Sequence, residues 1–360
     1  MVYIHIPWCR SFCTYCGFYS EIPRDDLGDF VSGLCDEILS RKDEILRSLA
    51  VDTVYIGGGT PSILSAEELG KIISTLRSIR EDIGSEEFTV EVNPDDIVKK
   101  GATYAEGLRR LGVSRISMGV QSFDDGLLRW MNRRHNAEDA VTAFRILREA
   151  GFDNVSLDLI FGIGDFAGRE FTEEMWVDTI DRTLTLAPEH ISAYQLSVEP
   201  ESALEKLCEK GRFTPAGDEK CARQYDALCR RLAEKGYHHY EISNFALPGR
   251  EARHNSAYWH HTPYVGLGPG AHSLRLSEDG RWVRSWNYPG AGSEILSDEQ
   301  IRMETIMLGL RTDRGVEPPL LGEKAAGPLG RGDLVPTADG LLRIPEDKFF
   351  ISDAIISSLC

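Results

Sequence analysis

The stretch VYIHIPWCRSFCTYCGF, residues 2–18, joins a strand-like run to three cysteines spaced CxxxCxxC. The β-rich segment Val2–Ile6 reads as a strand, so Cys9, Cys13 and Cys16 stand on a loop just after it. Three thiolates on so short a loop can converge on one face of a cubane [4Fe–4S] cluster and leave the fourth iron without a protein ligand. An open iron of this kind chelates the amino and carboxylate groups of S-adenosylmethionine, which a fully ligated cluster cannot do. The competing readings are a zinc knuckle and three unrelated thiols. A structural zinc site needs a fourth Cys or His, and the nearby His5 lies inside the strand pattern. The spacing after a first strand favours the cluster.

Outward from this loop, β-rich runs recur at Thr53–Ile56, Phe88–Val92, Arg115–Gly119, Val155–Ile160 and His190–Leu196. Helical periodicity fills the gaps over Asp26–Leu49, Ala66–Ile83, Ala137–Ala150 and Glu170–Leu186. Strands alternating with helices imply parallel βαβ units. Six units are too few for a closed eightfold barrel, so the expected fold is α/β: a partial (β/α)6 barrel with a smaller C-terminal α/β appendage. The expected division is a barrel over 1–200, an extension over 201–310 and a small appendage over 311–360. Within the extension, a helix over Ala216–Lys235 precedes a Gly- and aromatic-rich segment that runs through Tyr288, and a second helix spans Asp298–Leu310. A last helix is expected over Ile351–Leu359.

The chain has 360 residues, 42% of them hydrophobic, enough for a large core. Its formal charge of −17 repels phosphate backbones and anionic membranes, which argues against nucleic acid as a main partner. No stretch approaches a spanning helix and no secretory signal follows Met1, so a cytoplasmic location is expected. Of the eight cysteines, Cys35, Cys208, Cys221, Cys229 and Cys360 are scattered and read as isolated small thiols.

Polar residues gather near the strand ends. Strand two runs into GGGTP (57–61), where glycines let the backbone approach a ligand closely. Glu91 stands in EVNP, Gln121 in GVQSF, Arg133 in NRR and Asp158 in DLIFG. A carboxylate in a buried strand is costly unless partnered, so these groups point to one shared polar ligand. Together with the cysteine triad and Tyr15, these motifs resemble the coproporphyrinogen-dehydrogenase branch of the radical-SAM superfamily over nearly the whole chain. The resemblance implies that Tyr3, Gly58, Gly59, Thr60, Glu91, Gln121, Arg133 and Asp158 line an S-adenosylmethionine site. One loop departs from the family: Gly162-Ile163-Gly164-Asp165-Phe166-Ala167 replaces its usual Gly-Leu-Pro-Gly-Gln-Thr type, which puts the pocket wall there in question.

Within the branch, the dehydrogenase carries a fourth cysteine two residues past the triad and a long N-terminal extension. Here that position is Phe18, and Tyr3 is the third residue. Arg253-His254-Asn255-Ser256-Ala257-Tyr258-Trp259 is instead similar to the HNxxYW signature of HemW-type haem chaperones. YEISNFA (240–246) and GLGPGAHS (266–273) extend the likeness. Imidazole ligates haem iron and the aromatic rings cover a porphyrin face, so His254, Asn255, Tyr258 and Trp259 form the expected haem segment. The resemblance implies a haem chaperone that holds the cluster and S-adenosylmethionine and passes haem to acceptor proteins, with a homodimer left open. The alternative is a radical-SAM porphyrin enzyme, either the dehydrogenase or a haem-modifying methyltransferase.

Overall fold

The computed structural model describes residues 1–23, 27–287 and 290–359; Asp26, Tyr288 and Cys360 lie outside the described residues. Six parallel strands stand side by side in chain order: β1 (Val2–Ile6), β2 (Thr53–Gly58), β3 (Glu87–Val92), β4 (Arg115–Gln121), β5 (Val155–Phe161) and β6 (His190–Gln195). This is the α/β partial barrel that the alternation of strands and helices predicts.

Three strands from beyond residue 200 continue the same sheet. β7 (His238–Glu241) and β8 (Asn244–Ala246) form a hairpin whose β8 runs antiparallel to β6, and β9 (Val265–Leu267) pairs parallel to β1. The order is β7-β8-β6-β5-β4-β3-β2-β1-β9, and no pairing joins β7 to β9. A boundary at residue 200 therefore cuts across the sheet. A three-stranded antiparallel sheet, β10 (His272–Leu276), β11 (Trp282–Trp286) and β12 (Gly292–Ile295), follows. The helix expected over 26–49 is two, Leu27–Ser40 and Lys42–Arg47, because Arg41 leaves helical geometry and reaches across the fold to Gly266 O at 2.8 Å.

The strands explain why the barrel holds a ligand space. On β2 to β6 one face is apolar: Val54, Ile56, Phe88, Val90, Ile116, Met118, Leu157, Leu159 and Ile191 all join the hydrophobic core. The alternate residues Tyr55, Glu91, Arg115, Ser117, Asp158, Ser192 and Tyr194 line an internal cavity instead. Parallel strands covered on both faces ordinarily read as continuous apolar runs. Here the period-2 alternation gives an apolar outer face toward the helices and a polar inner face.

Candidate radical-SAM site

The cavity measures about 650 Å³ and runs from the cysteine loop, at the carboxyl ends of the strands, to Asn255 at their opposite ends. Cys9, Cys13 and Cys16 line its mouth, and none of the three is in a disulfide. Backbone bonds hold their loop: Cys9 N donates to Glu21 O at 2.8 Å, Thr14 N to Met131 O at 3.1 Å, and Asn132 Nδ2 to Phe12 O at 2.7 Å. Among the described residues, no three His, Cys, Asp or Glu side chains are grouped to hold one metal ion. A cubane takes three thiolates on three different irons, so its ligands need not meet at a point. His5 offers no fourth ligand, because its Nδ1 is bonded to the Tyr3 hydroxyl and its Nε2 to Tyr19 O.

The residues that could cradle S-adenosylmethionine meet around this space. Gly58 has φ +110°, and a Cβ there would stand 2.6 Å from the His5 ring; one at Gly59 would stand 2.9 Å from the Pro7 backbone. Only glycine permits that close seat between the two loops. Glu91 accepts from the Tyr55 hydroxyl at 2.7 Å and from Gly58 N at 3.1 Å. Burial pushes its carboxyl up to about 7, against the lowering effect of the Tyr55 bond. Asp158 accepts from the Ser117 hydroxyl at 3.0 Å and is likewise raised by burial, with the surrounding serine hydroxyls opposing the shift. Gln121 has φ +66° beside a register shift between β4 and β5, which aims its side chain at the cavity. Left-handed backbone at a non-glycine residue is uncommon and clusters at functional sites.

Two thiols are tied together by a polar chain. Cys9 Sγ lies 3.4 Å from Thr60 Oγ1, Asn93 Nδ2 donates to Thr60 Oγ1 at 3.2 Å, and Arg133 Nη2 donates to Asn93 Oδ1 at 2.7 Å. Arg133 Nη1 then reaches Cys13 Sγ at 3.4 Å, while its buried Nε has no partner. Asn93, Tyr55, Arg115, Ser117, Ser192 and Tyr194 line the cavity without having been picked out by motif. The period-2 alternation of the strands marks all of them except Asn93. The free thiols, the glycine seat and the orphaned Arg133 Nε fit a cluster with a polar ligand beside it.

Other expected residues stand apart. Tyr3 is outside the cavity lining, and so is the loop 162–167, where Gly164 packs against the backbone of Thr214 and Pro215. The helix Arg253–Trp259 closes the floor of the barrel. Glu87 caps it by accepting from Arg253 N and His254 N at 2.9 and 3.1 Å. Of HNxxYW, only Asn255 lines the cavity. His254 is 1% exposed, its Nδ1 is 2.8 Å from Thr53 Oγ1 and its Nε2 is 3.1 Å from the Tyr258 hydroxyl. Burial holds this imidazole down at about 3, so it is neutral. Both nitrogens are occupied, and haem iron reaches His254 only if the helix leaves its seat.

This is the architecture of a radical-SAM protein, and residues 3–181 match the family model described as the Radical SAM superfamily. The solved structure of coproporphyrinogen III oxidase from Escherichia coli superposes with a TM-score of 0.76 at 20% identity, covering 99% of this chain and 89% of that one. That likeness defines the fold. The haem chaperone HemW of Bacillus subtilis is 35% identical, with 89% of this chain and 86% of the relative covered. The Escherichia coli HemW is 33% identical over 79% and 72% respectively. A zebrafish protein named radical S-adenosyl methionine domain-containing protein 1, mitochondrial, is 30% identical over 88% and 73%. The chain belongs to the HemW family of the radical-SAM superfamily.

Proposed function

We propose that this protein is a haem chaperone: it binds haem and transfers it to haem-accepting proteins, with Cys9, Cys13 and Cys16 holding a [4Fe–4S] cluster. The observation that carries the reading is the reach of the similarity to haem chaperones. It covers 89% of the chain, well past residue 181 where the radical-SAM match stops. The absence of a fourth thiol at Phe18 points the same way, away from the decarboxylating enzyme.

In this reading the cluster supplies an open iron for S-adenosylmethionine and an electron for its sulfonium. The chain's own residues do the rest. Gly58 and Gly59 bring backbone close to the ligand, Glu91 and Asp158 offer carboxyl oxygens as acceptors, and Arg133 supports the Cys13 sulfur. Tyr3 acts from behind by bonding His5 beneath the glycine seat, and Gln121 and Thr60 complete the polar wall. His254, Asn255, Tyr258 and Trp259 bear on haem in a form whose floor has opened. No helix among the described residues is long and apolar enough to cross a membrane, and we place the work of the protein in the cytoplasm.

The test is to reconstitute the protein anaerobically and add haemin and, separately, coproporphyrinogen III. Haem uptake followed by delivery to an apo-haem protein, without decarboxylation, supports the reading. Turnover of coproporphyrinogen III would replace it with the enzyme.

A further inference from the structure

The helix Arg253–Trp259 begins without a cap of its own. Its N-cap is Ala252, and its first amides are taken by side chains of the barrel: Ala252 N donates to the Tyr240 hydroxyl at 3.2 Å, Arg253 N and His254 N to Glu87. From Tyr240, the first residue of YEISNFA, a buried chain crosses β6 and β5 to the ligand space. The Tyr240 hydroxyl lies 2.8 Å from His190 Nε2, His190 Nδ1 lies 2.7 Å from Ser156 Oγ, and Ser156 Oγ donates to Asp158 Oδ1 at 3.4 Å. His190 and Ser156 are both fully buried. Burial and the nearby Arg115 guanidinium hold the His190 imidazole well below its usual range, so it is neutral, and one ring nitrogen donates while the other accepts. Tyr240 already accepts from Ala252 N, and among the described residues His190 Nε2 is the acceptor within reach of its own proton. The reverse arrangement leaves a buried hydroxyl proton without an acceptor, which is costly.

We propose that His190 is a positioning residue: protonated at Nδ1, it completes a chain whose donors all point from the floor helix toward Asp158, so a ligand on Asp158 is felt at the helix's first amide. Asp158 Oδ1 already accepts from Ser117 at 3.2 Å and from Ser156 at 3.4 Å, enough for its two lone pairs. A further donor, such as a ribose hydroxyl of S-adenosylmethionine, displaces the longer of the two, Ser156. Bonds in such a chain polarise one another, so the loss weakens those behind it and loosens the hold of Tyr240 on Ala252 N. The segment that bears on haem is thereby eased from its seat as the cavity fills. The inference rests on the haem and S-adenosylmethionine reading above and gives it an order, with the cavity ligand first and haem second.

The tautomer is read by heteronuclear NMR of reconstituted protein labelled at its histidine nitrogens, with the His190 signals assigned by their loss in His190→Gln. A pyrrole-type Nδ1 and a pyridine-type Nε2 are expected, and the opposite assignment overturns the chain. The coupling is read by residue-resolved amide exchange. S-adenosylmethionine should speed exchange at Ala252 N about twofold in the wild type. Tyr240→Phe removes the acceptor and should speed it roughly three- to tenfold, with or without the ligand. His190→Gln keeps an amide oxygen for the Tyr240 proton but breaks the link to Ser156, so it should retain the wild-type rate and lose the response. Should that variant not fold, Ser156→Ala breaks the same link. An Ala252 rate that bound S-adenosylmethionine leaves unmoved or slows overturns the coupling, as does a response that survives in His190→Gln or Ser156→Ala. A wild-type protein that binds no S-adenosylmethionine overturns the reading of the cavity and the coupling with it, while the tautomer still judges the chain.

Discussion

The Tyr55 hydroxyl donates to Glu91 at 2.7 Å while the Tyr55 ring lies 5.2 Å from the ring of His254. One side chain on β2 thus touches both the glycine-seated wall of the cavity and the helix that closes its floor. Glu91 passes the contact upward to Gly58 N, and His254 passes it downward to Thr53 and Tyr258. Any change of ligand that moves Glu91 therefore acts on the seat of the floor helix through two contacts.

Tyr55→Phe keeps the ring and removes the donor. A hydrogen bond to a carboxylate favours its ionised form, so losing it should raise the Glu91 carboxyl above about 7. If the carboxylate binds S-adenosylmethionine, affinity near neutral pH should fall by roughly the 1.5–3 kcal/mol of a charged hydrogen bond at most. The acid limb of the binding curve should move to higher pH. A dissociation constant that follows the same pH profile in both proteins would show that Tyr55 does not poise Glu91.

Glu91 also predicts a slope in stability. Its folded-state value of about 7 lies above the ordinary 4.5, so the folded chain holds an extra proton between those limits. Its contribution is fully present below about 4.5 and is lost as pH rises through about 7, with a slope of at most about 1.4 kcal/mol per unit. The buried Glu241 is pushed up to about 7 as well, while the buried His254 works in the opposite sense. The difference between wild type and Glu91→Gln isolates the one group. Denaturant unfolding across pH 4–8 should show that difference narrowing toward acid, and a constant difference would contradict the assignment.

Asn93→Leu tests the chain between the thiols. The leucine fills similar space but leaves Thr60 Oγ1 and Arg133 Nη2 without their shared partner. An arginine already missing a partner at Nε then keeps its contacts to Gly119 O and Cys13 Sγ. The cluster should still assemble, with S-adenosylmethionine binding weakened by roughly 1–3 kcal/mol. Calorimetric titration with iron content measured alongside decides it, and full affinity at full iron content would rule Asn93 out.

The cysteines and the six parallel strands were legible because each rests on local pattern: loop spacing in one case, β-rich runs between helical periods in the other. The polar face of the barrel was legible in principle from Tyr55, Arg115, Ser117 and Ser192, each of which alternates with apolar neighbours along its own strand. Motif reading passes over them because none carries a signature. β9 and the β7–β8 hairpin were not legible as parts of the barrel. Val265–Leu267 is three residues long, and its pairing with Val2–Ile4 spans most of the chain. The placement of His254 was hidden for the same reason. Its partners Thr53, Tyr55 and Glu87 come from the starts and middles of two distant strands, and only their register decides that the histidine faces inward.

His254→Ala separates the two meanings of that histidine. In the closed floor the imidazole satisfies the Thr53 and Tyr258 hydroxyls and packs on Tyr55. Truncation leaves two buried hydroxyls without partners and opens a hole beside Glu87, whose cap on the helix depends on the helix keeping its seat. The expected loss is about 2–4 kcal/mol of unfolding free energy, seen as an earlier thermal transition and faster amide exchange over Arg253–Trp259. Cluster content should hold, since Cys9, Cys13 and Cys16 lie at the other end of the cavity. In the opened form proposed for haem binding, the Soret band of the loaded variant should differ from that of the wild type or haem should bind more weakly. Unchanged haem binding and an unchanged Soret band, with stability alone reduced, would make His254 a packing residue only.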